Sequence, residues 1–316
     1  MSRYLMQRLA WVALVLWGVS LVVFIVIRMT PGDPAEILLG PLATAEEVSR
    51  LRQELGLNRP LALQYVLWLD QVLHGDLGRS ITLHRAVLGE VLRRFVGTLI
   101  LTAGAAALTF GPGIALGIGA ARRPGGILDR FSLLVAVGGV SVPSFWLGML
   151  LIIFFSLRLG LLPGAGMYSP SGQQTVSDLL LHLILPAATL GALPLAVITR
   201  VTRTGMADAL REHYVRTARS KGLDERAVSL RHAFRNTMVG IVTVLGLEMG
   251  FLLAGAVYVE TVFSWPGVGL MLVNAILTRD FPLIQGAVLL VAVAYVIINL
   301  LTDLLYAYLD PRIRFG

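Results

Sequence analysis

Apolar and polar positions divide this chain into six long apolar runs, separated by polar segments of very unequal length. The runs are Leu9 to Ile27, Thr98 to Ala121, Phe131 to Leu157, Leu179 to Thr199, Thr237 to Tyr258, and Leu283 to Tyr306. Each is close to or above the roughly 20 mainly apolar residues that a helix needs to cross the hydrocarbon layer. The pattern predicts an all-α integral membrane protein with six transmembrane helices. Leu9 to Ile27 is long enough to span, and the Arg-Met-Thr-Pro after it lacks a small-residue cleavage pattern, so it reads as an uncleaved first span.

Two polar segments stand out. The first, Arg28 to Gly97, has nearly balanced acids and bases and its own helical signals. Thr44 to Glu47 fits a capping box, Gly56 can close the helix it opens, and Pro60 can start a second helix running to about His74. Tyr65 and Trp68 would seat that helix at headgroup level. The second, Arg200 to Arg235, holds nine of the chain's 26 basic residues. Apolar or aromatic side chains recur at Met206, Leu210, Tyr214 and Ala218, and again at Ala227, Leu230 and Phe234, predicting two short helices with a turn between them. Gly222 can end the first in a left-handed conformation, Leu223 can fold back as a Schellman cap requires, and Asp224 suits the N-cap of the second. A helix, a glycine hinge and a helix between two spans make a knob suited to another protein's groove. An ordinary basic loop attracted to anionic lipid has the same composition.

Charge sets the expected topology. Arg3 and Arg8, then Arg122, Arg123 and Arg130, then the second polar segment, then Arg312 and Arg314 all fall on one face of a six-span bundle. The positive-inside rule makes that face cytoplasmic, with both termini on it and Arg28 to Gly97 outside. The organisation expected is therefore 1–27, the N-terminus and first span; 28–97, a small helical extracytoplasmic segment; and 98–316, a five-helix core containing the polar insert 200–236.

Of the residues, 56% are hydrophobic and 14% charged, well below the charge of soluble domains, so the net charge of +7 records topology and calls for no nucleic acid. There is no cysteine, and His74, His84, His182, His213 and His232 form no close pair, so no metal site is expected. The only lysine, Lys221, precedes Gly222 without the glycine pattern of a phosphate-binding loop, and no GxSxG occurs. No catalytic residue is assigned. The second, third and fourth runs carry Gly104, Gly111, Pro112, Gly113, Gly117, Gly138, Gly139, Pro143, Pro186 and Pro194. These fit either a path with a moving part or close helix packing. Glu248, near the middle of the fifth run, either lines a passage or hydrogen-bonds a neighbouring helix.

The run from Tyr214 to Asn236 resembles the coupling, or EAA, loop of binding-protein-dependent ABC importer permeases, and more narrowly the first-subunit branch of the dipeptide and oligopeptide permeases. Supporting motifs follow in order: Thr30-Pro-Gly-Asp-Pro34, Leu51 to Leu57, Gln64-Tyr65, Gly75-Asp-Leu-Gly78, Ser141-Val-Pro-Ser-Phe145, Glu260 to Gly267 and Asp310 to Arg314. The resemblance implies the type I importer permease fold in a bacterial or archaeal cell membrane. It implies half of a translocation path, paired with a homologous second permease subunit and two ATP-binding subunits that hold ATP and Mg, and fed by an extracytoplasmic substrate-binding protein. The chain itself is expected to bind no cofactor. By the same resemblance Arg216, Thr217, Ala218, Arg219, Ser220, Lys221, Gly222, Leu223 and Asp224 couple to an ATPase subunit. Ser141, Pro143 and Glu248 are candidates for the path, and Asp33, Asp76, Glu260, Trp265, Pro266 and Gly267 for an outer gate or binding-protein contact. Peptides are the expected solute, with glutathione, nickel chelates and oligosaccharides as the family's alternatives. A passive channel would show a charged or carbonyl-lined filter, and a membrane-embedded enzyme a nucleophile or base constellation; neither pattern is found in the sequence.

Overall fold

The computed structural model describes residues 2–29, 39, 43–54, 56–170, 172 and 174–309; the Thr30 to Pro34 motif with Asp33, and the closing Asp310 to Arg314 motif, lie outside them. Among the described residues the regular structure is helical, apart from one isolated bridge between Arg79 and Ala86. In chain order the helices are α1 (Ser2–Met29), α2 (Ala45–Glu54), α3 (Leu61–Leu73), α4 (Val87–Arg122), α5 (Ile127–Ser141) and α6 (Ser144–Leu151), which runs on as a π-helix, Ile152–Arg158. After these come α7 (Val176–Ala209) and α8 (His213–Ser220). A single turn of α-helix, Glu225–Ala227, leads through a second π-helix, Val228–Ala233, into α9 (Phe234–Val262), and α10 (Val268–Leu277) and α11 (Phe281–Leu309) complete the set.

Five of these segments are long and apolar enough to cross a membrane, and a bent pair counts as a sixth when taken as one span. The expected all-α membrane fold is borne out, with one correction. The third apolar run is not a single rod: α5 and the segment Ser144–Arg158 meet at 109°. Pro143 lies at the break and pushes Val142 before it into extended backbone, with φ −96° and ψ 121°. Pro112, Pro186 and Pro194, by contrast, sit inside continuous helices.

The chain falls into two compact units, Met1–Val96 with Leu270–Val296, and Gly97–Gly269 with Ile297–Gly316. In the first, α1 holds α3 through an aromatic contact: buried Phe24 meets the Tyr65 ring edge-on at 5.4 Å and the Trp68 ring at 5.6 Å. The hydroxyls of Ser20 and Tyr65 lie 2.8 Å apart. The capping box forms as the sequence predicts, with the Thr44 amide donating to Glu47 at 2.8 Å and the Glu47 amide to the Thr44 hydroxyl at 3.3 Å. That amide bond, followed by the Thr44 hydroxyl, holds the Glu47 carboxyl below its ordinary range.

In the second unit, close helix approach explains much of the glycine enrichment. A Cβ on Gly117 would strike Thr202 and the Thr199 carbonyl, and one on Gly139 the Ala192 carbonyl. Gly111 and Gly138 face open space, so packing does not explain those two. The apolar core gathers Leu101, Leu185, Leu190, Leu252, Phe263 and Trp265.

Candidate functional site

The polar insert folds into one short helix hung between two long ones. α7 continues to Ala209, three residues form a turn, and Glu212 enters extended backbone to start α8. The first predicted apolar set is therefore divided: Met206 belongs to α7, Leu210 to the turn, and Tyr214 and Ala218 to α8. What anchors α8 is a small cluster in which Val215, Ala218 and Val228 are buried and Leu210 and Tyr214 pack against them.

The C-terminus of α8 closes as a Schellman motif, as expected. Gly222 has φ +77°, its amide donates to Arg219 O at 2.9 Å, and the Leu223 amide reaches back to Ala218 O at 3.4 Å. Asp224 occupies the next N-cap position in extended backbone, though its side chain makes no cap hydrogen bond. Arg219 grips Glu225 with two hydrogen bonds, 2.7 and 3.2 Å, and pins the hinge from the solvent side. That bond raises the Arg219 pKa further above its ordinary value.

The second predicted face needs correction. In place of Ala227, Leu230 and Phe234, the buried residues are Val228, Ser229 and Ala233, and Leu230 is 42% exposed. Helical spacing failed because Val228–Ala233 is a π-helix, whose extra residue turns the following side chains by roughly 100°. No second independent helix forms; the turn feeds directly into α9. The knob thus has a buried footing and a free rim. Of the nine proposed coupling residues, Ala218 is buried and Arg216, Thr217, Arg219, Ser220, Lys221, Gly222, Leu223 and Asp224 are exposed. The arrangement offers a fixed shape with a cationic edge.

The loop after α9 is built the opposite way. Glu260 is fully buried; it accepts the Thr98 hydroxyl at 2.6 Å and the Gly269 amide at 2.7 Å. Thr98 in turn accepts the Val268 amide at 2.9 Å. Trp265 is fully buried as well, donating from Nε1 to Gly97 O at 2.8 Å. Gly267 is pressed against the Glu260 carboxylate and leaves no room for a Cβ. Glu260, Trp265 and Gly267, candidates for an outer gate or binding-protein contact, are thus buried within this chain, and Pro266 is half-buried. Thr98, the partner that completes the staple, was seen in the sequence only as the edge of an apolar run.

The remaining candidates are scattered. Asp76 is exposed and accepts the Gly78 amide at 2.8 Å, closing a turn. Ser141 and Pro143 are exposed at the α5–α6 bend, and Glu248 is half-buried on α9. Gly240 is exposed on α9 with open space where a Cβ would stand. Two polar clusters carried no signal in the spacing. Asp129 caps Gly125 N at 2.8 Å and pairs with Arg203. In the first unit, buried Asp280 accepts the Ser80 hydroxyl at 2.5 Å and the Thr82 hydroxyl at 2.7 Å. Burial pushes the Asp280 carboxyl up, but those hydroxyls and the amides of Thr82 and Ile81 together hold it below its ordinary range.

A multi-pass helical bundle with an anchored, exposed knob between two of its long helices has the make-up of a membrane transport subunit. The chain matches the family described as the binding-protein-dependent transport system inner membrane component over residues 113–315, and that family's N-terminal membrane component over residues 1–102. It is 43% identical over 315 residues, the full length of both chains, to the glutathione transport system permease protein GsiC of Escherichia coli strain K12. The protein of that name from Shigella dysenteriae serotype 1 is also 43% identical, and that from Salmonella paratyphi A 42%, again across the whole of both chains. The chain belongs to the inner-membrane permease family of binding-protein-dependent ABC importers.

Proposed function

We propose that this permease carries short peptides inward, glutathione among them, as half of a translocation path completed by a homologous second permease subunit. The observation that carries the solute assignment is the end-to-end 43% identity to proteins named for glutathione transport, a tripeptide. Two separate subunits bind ATP and Mg, and the α8 knob, Arg216 to Asp224, seats in a cleft of one of them. The segment 28–97 lies outside, toward a substrate-binding protein, and both termini lie in the cytoplasm. Closure of the ATPase pair draws its docked knobs together, and the long helices convert that motion into opening toward the outside. The exposed rim and buried footing of α8 support this role, since a lever needs a rigid foot and an open contact face.

Uptake of labelled glutathione into vesicles carrying the co-purified complex and its binding protein tests the solute. ATP-dependent accumulation, competed by unlabelled glutathione and by a dipeptide, is expected. Accumulation of a nickel chelate or an oligosaccharide instead, with glutathione ignored, would reject it.

A further inference from the structure

One groove in the second unit touches the candidate path residues only at Ser141, at one end. It opens between α5 and α7 with a volume of about 450 Å³. The two helices run antiparallel along it: Asp129 meets Arg203 near the start of α5, and Gly139 meets Ala192 and Ala196 near its end. Arg200, Arg203 and Thr204 therefore stand at the Ser132 end of the groove, and Ser141 at the other.

The two arginines are not equivalent. Arg203 is neutralised by Asp129, whereas the Arg200 side chain is exposed and has no hydrogen-bonding or ionic partner among the described residues. Between the charged end and Ser141 the lip is apolar and open, with Leu133 46%, Val137 65% and Val140 59% exposed. From Ser132 to Ser141 the groove runs roughly 14 Å at helical rise. That is about half of a hydrocarbon layer ~30 Å thick, or one leaflet.

We propose that this groove holds one anionic phospholipid, its phosphate on Arg200 and the Thr204 hydroxyl, and one acyl chain along Leu133, Val137 and Val140. A single unneutralised cation at one end of an apolar trough as deep as a leaflet complements a molecule with one anionic head and an apolar tail. A small soluble anion would leave the apolar lip uncovered. Basic pockets between membrane helices are an established kind of site for acidic headgroups. The lipid would brace α5 against α7 on the approach to the 109° bend.

The test uses the assembled complex in nanodiscs of phosphatidylcholine, alone or mixed with phosphatidylglycerol, with native mass spectrometry of the retained lipid. The wild type is expected to keep phosphatidylglycerol in preference to phosphatidylcholine. Arg200→Gln is expected to weaken that retention roughly fivefold, the factor matching about 1 kcal/mol for one basic residue at an acidic surface. Arg200→Lys is expected to keep it. Because the chain has no cysteine, Val137→Cys gives a unique position for a nitroxide. That label is expected to show the oxygen accessibility of a lipid-facing site. Unchanged phosphatidylglycerol retention by Arg200→Gln would overturn the proposal. So would a nitroxide shielded from oxygen in the complex, since a protein neighbour would then occupy the groove.

Discussion

The α8 knob and the loop that follows α9 are both short polar excursions between apolar helices, yet they spend their polar groups in opposite ways. In the knob, a small apolar footing of Val215, Ala218 and Val228 is buried and nearly every polar group faces out. In the loop, Glu260 and the Thr98 hydroxyl face in and bond each other, and the indole of Trp265 faces in onto the Gly97 carbonyl. Polar side chains turned inward lock a loop to its own chain; turned outward on a fixed foot, they are available to another. Removing a group from the loop should therefore damage folding, and altering the rim of the knob should damage transport.

The largest effect on folding is expected from Glu260→Ala. It leaves the Thr98 hydroxyl and the Gly269 amide buried without an acceptor, costing roughly 3–5 kcal/mol. Thermal unfolding of the detergent-solubilised protein should show a marked drop in Tm or a loss of folded yield, and a Tm within experimental error of wild type would break the contrast.

Gly222→Trp comes next, and it separates the two effects. A Cβ there meets open space, so the cost to the chain is confined to the left-handed backbone, about 1–2 kcal/mol. Membrane insertion and Tm should be nearly kept while uptake is abolished. Normal uptake by this variant would remove the coupling role from the knob.

Val215→Ala sharpens the account of the footing. Deleting two buried methyl groups should cost roughly 1–2 kcal/mol, felt locally as faster amide exchange in α8 with the core of the second unit unchanged.

The smallest effect concerns acid. The Asp280 carboxyl is held below its unfolded value of about 3.9, so its contribution to stability is complete above that pH. It is lost as pH falls through the lower folded value. Asp280→Asn should lower stability at neutral pH and flatten the acid limb below about pH 4, measurable by chemical denaturation across pH.

Hydrophobic length alone marked the membrane crossings, because about 20 apolar residues in a row have few other uses. The Thr44 capping box and the Gly222 cap were legible for a similar reason: each is a local hydrogen-bond pattern written within a few residues. Spacing failed at Leu230, where the π-helix broke the 3.6-residue period that the reading assumed. Pro143 stood in plain view, yet Pro112 in the same kind of context leaves its helix continuous, so the residue alone did not fix a bend. The staples were hidden by distance along the chain. Nothing near Glu260 in sequence announces Thr98, and nothing near Asp280 announces Ser80 and Thr82. A buried carboxylate demands donors, but only the fold says which.

The central claim, that this permease is a lever moved by separate nucleotide-driven subunits through α8, is met most directly by solute flux in reconstituted vesicles. The permease pair should pass no glutathione by itself, and addition of the ATPase subunits, ATP and binding protein should switch on uptake. Rapid flux from the permease pair with the ATPase subunits absent, and unchanged by adding them, would contradict the account.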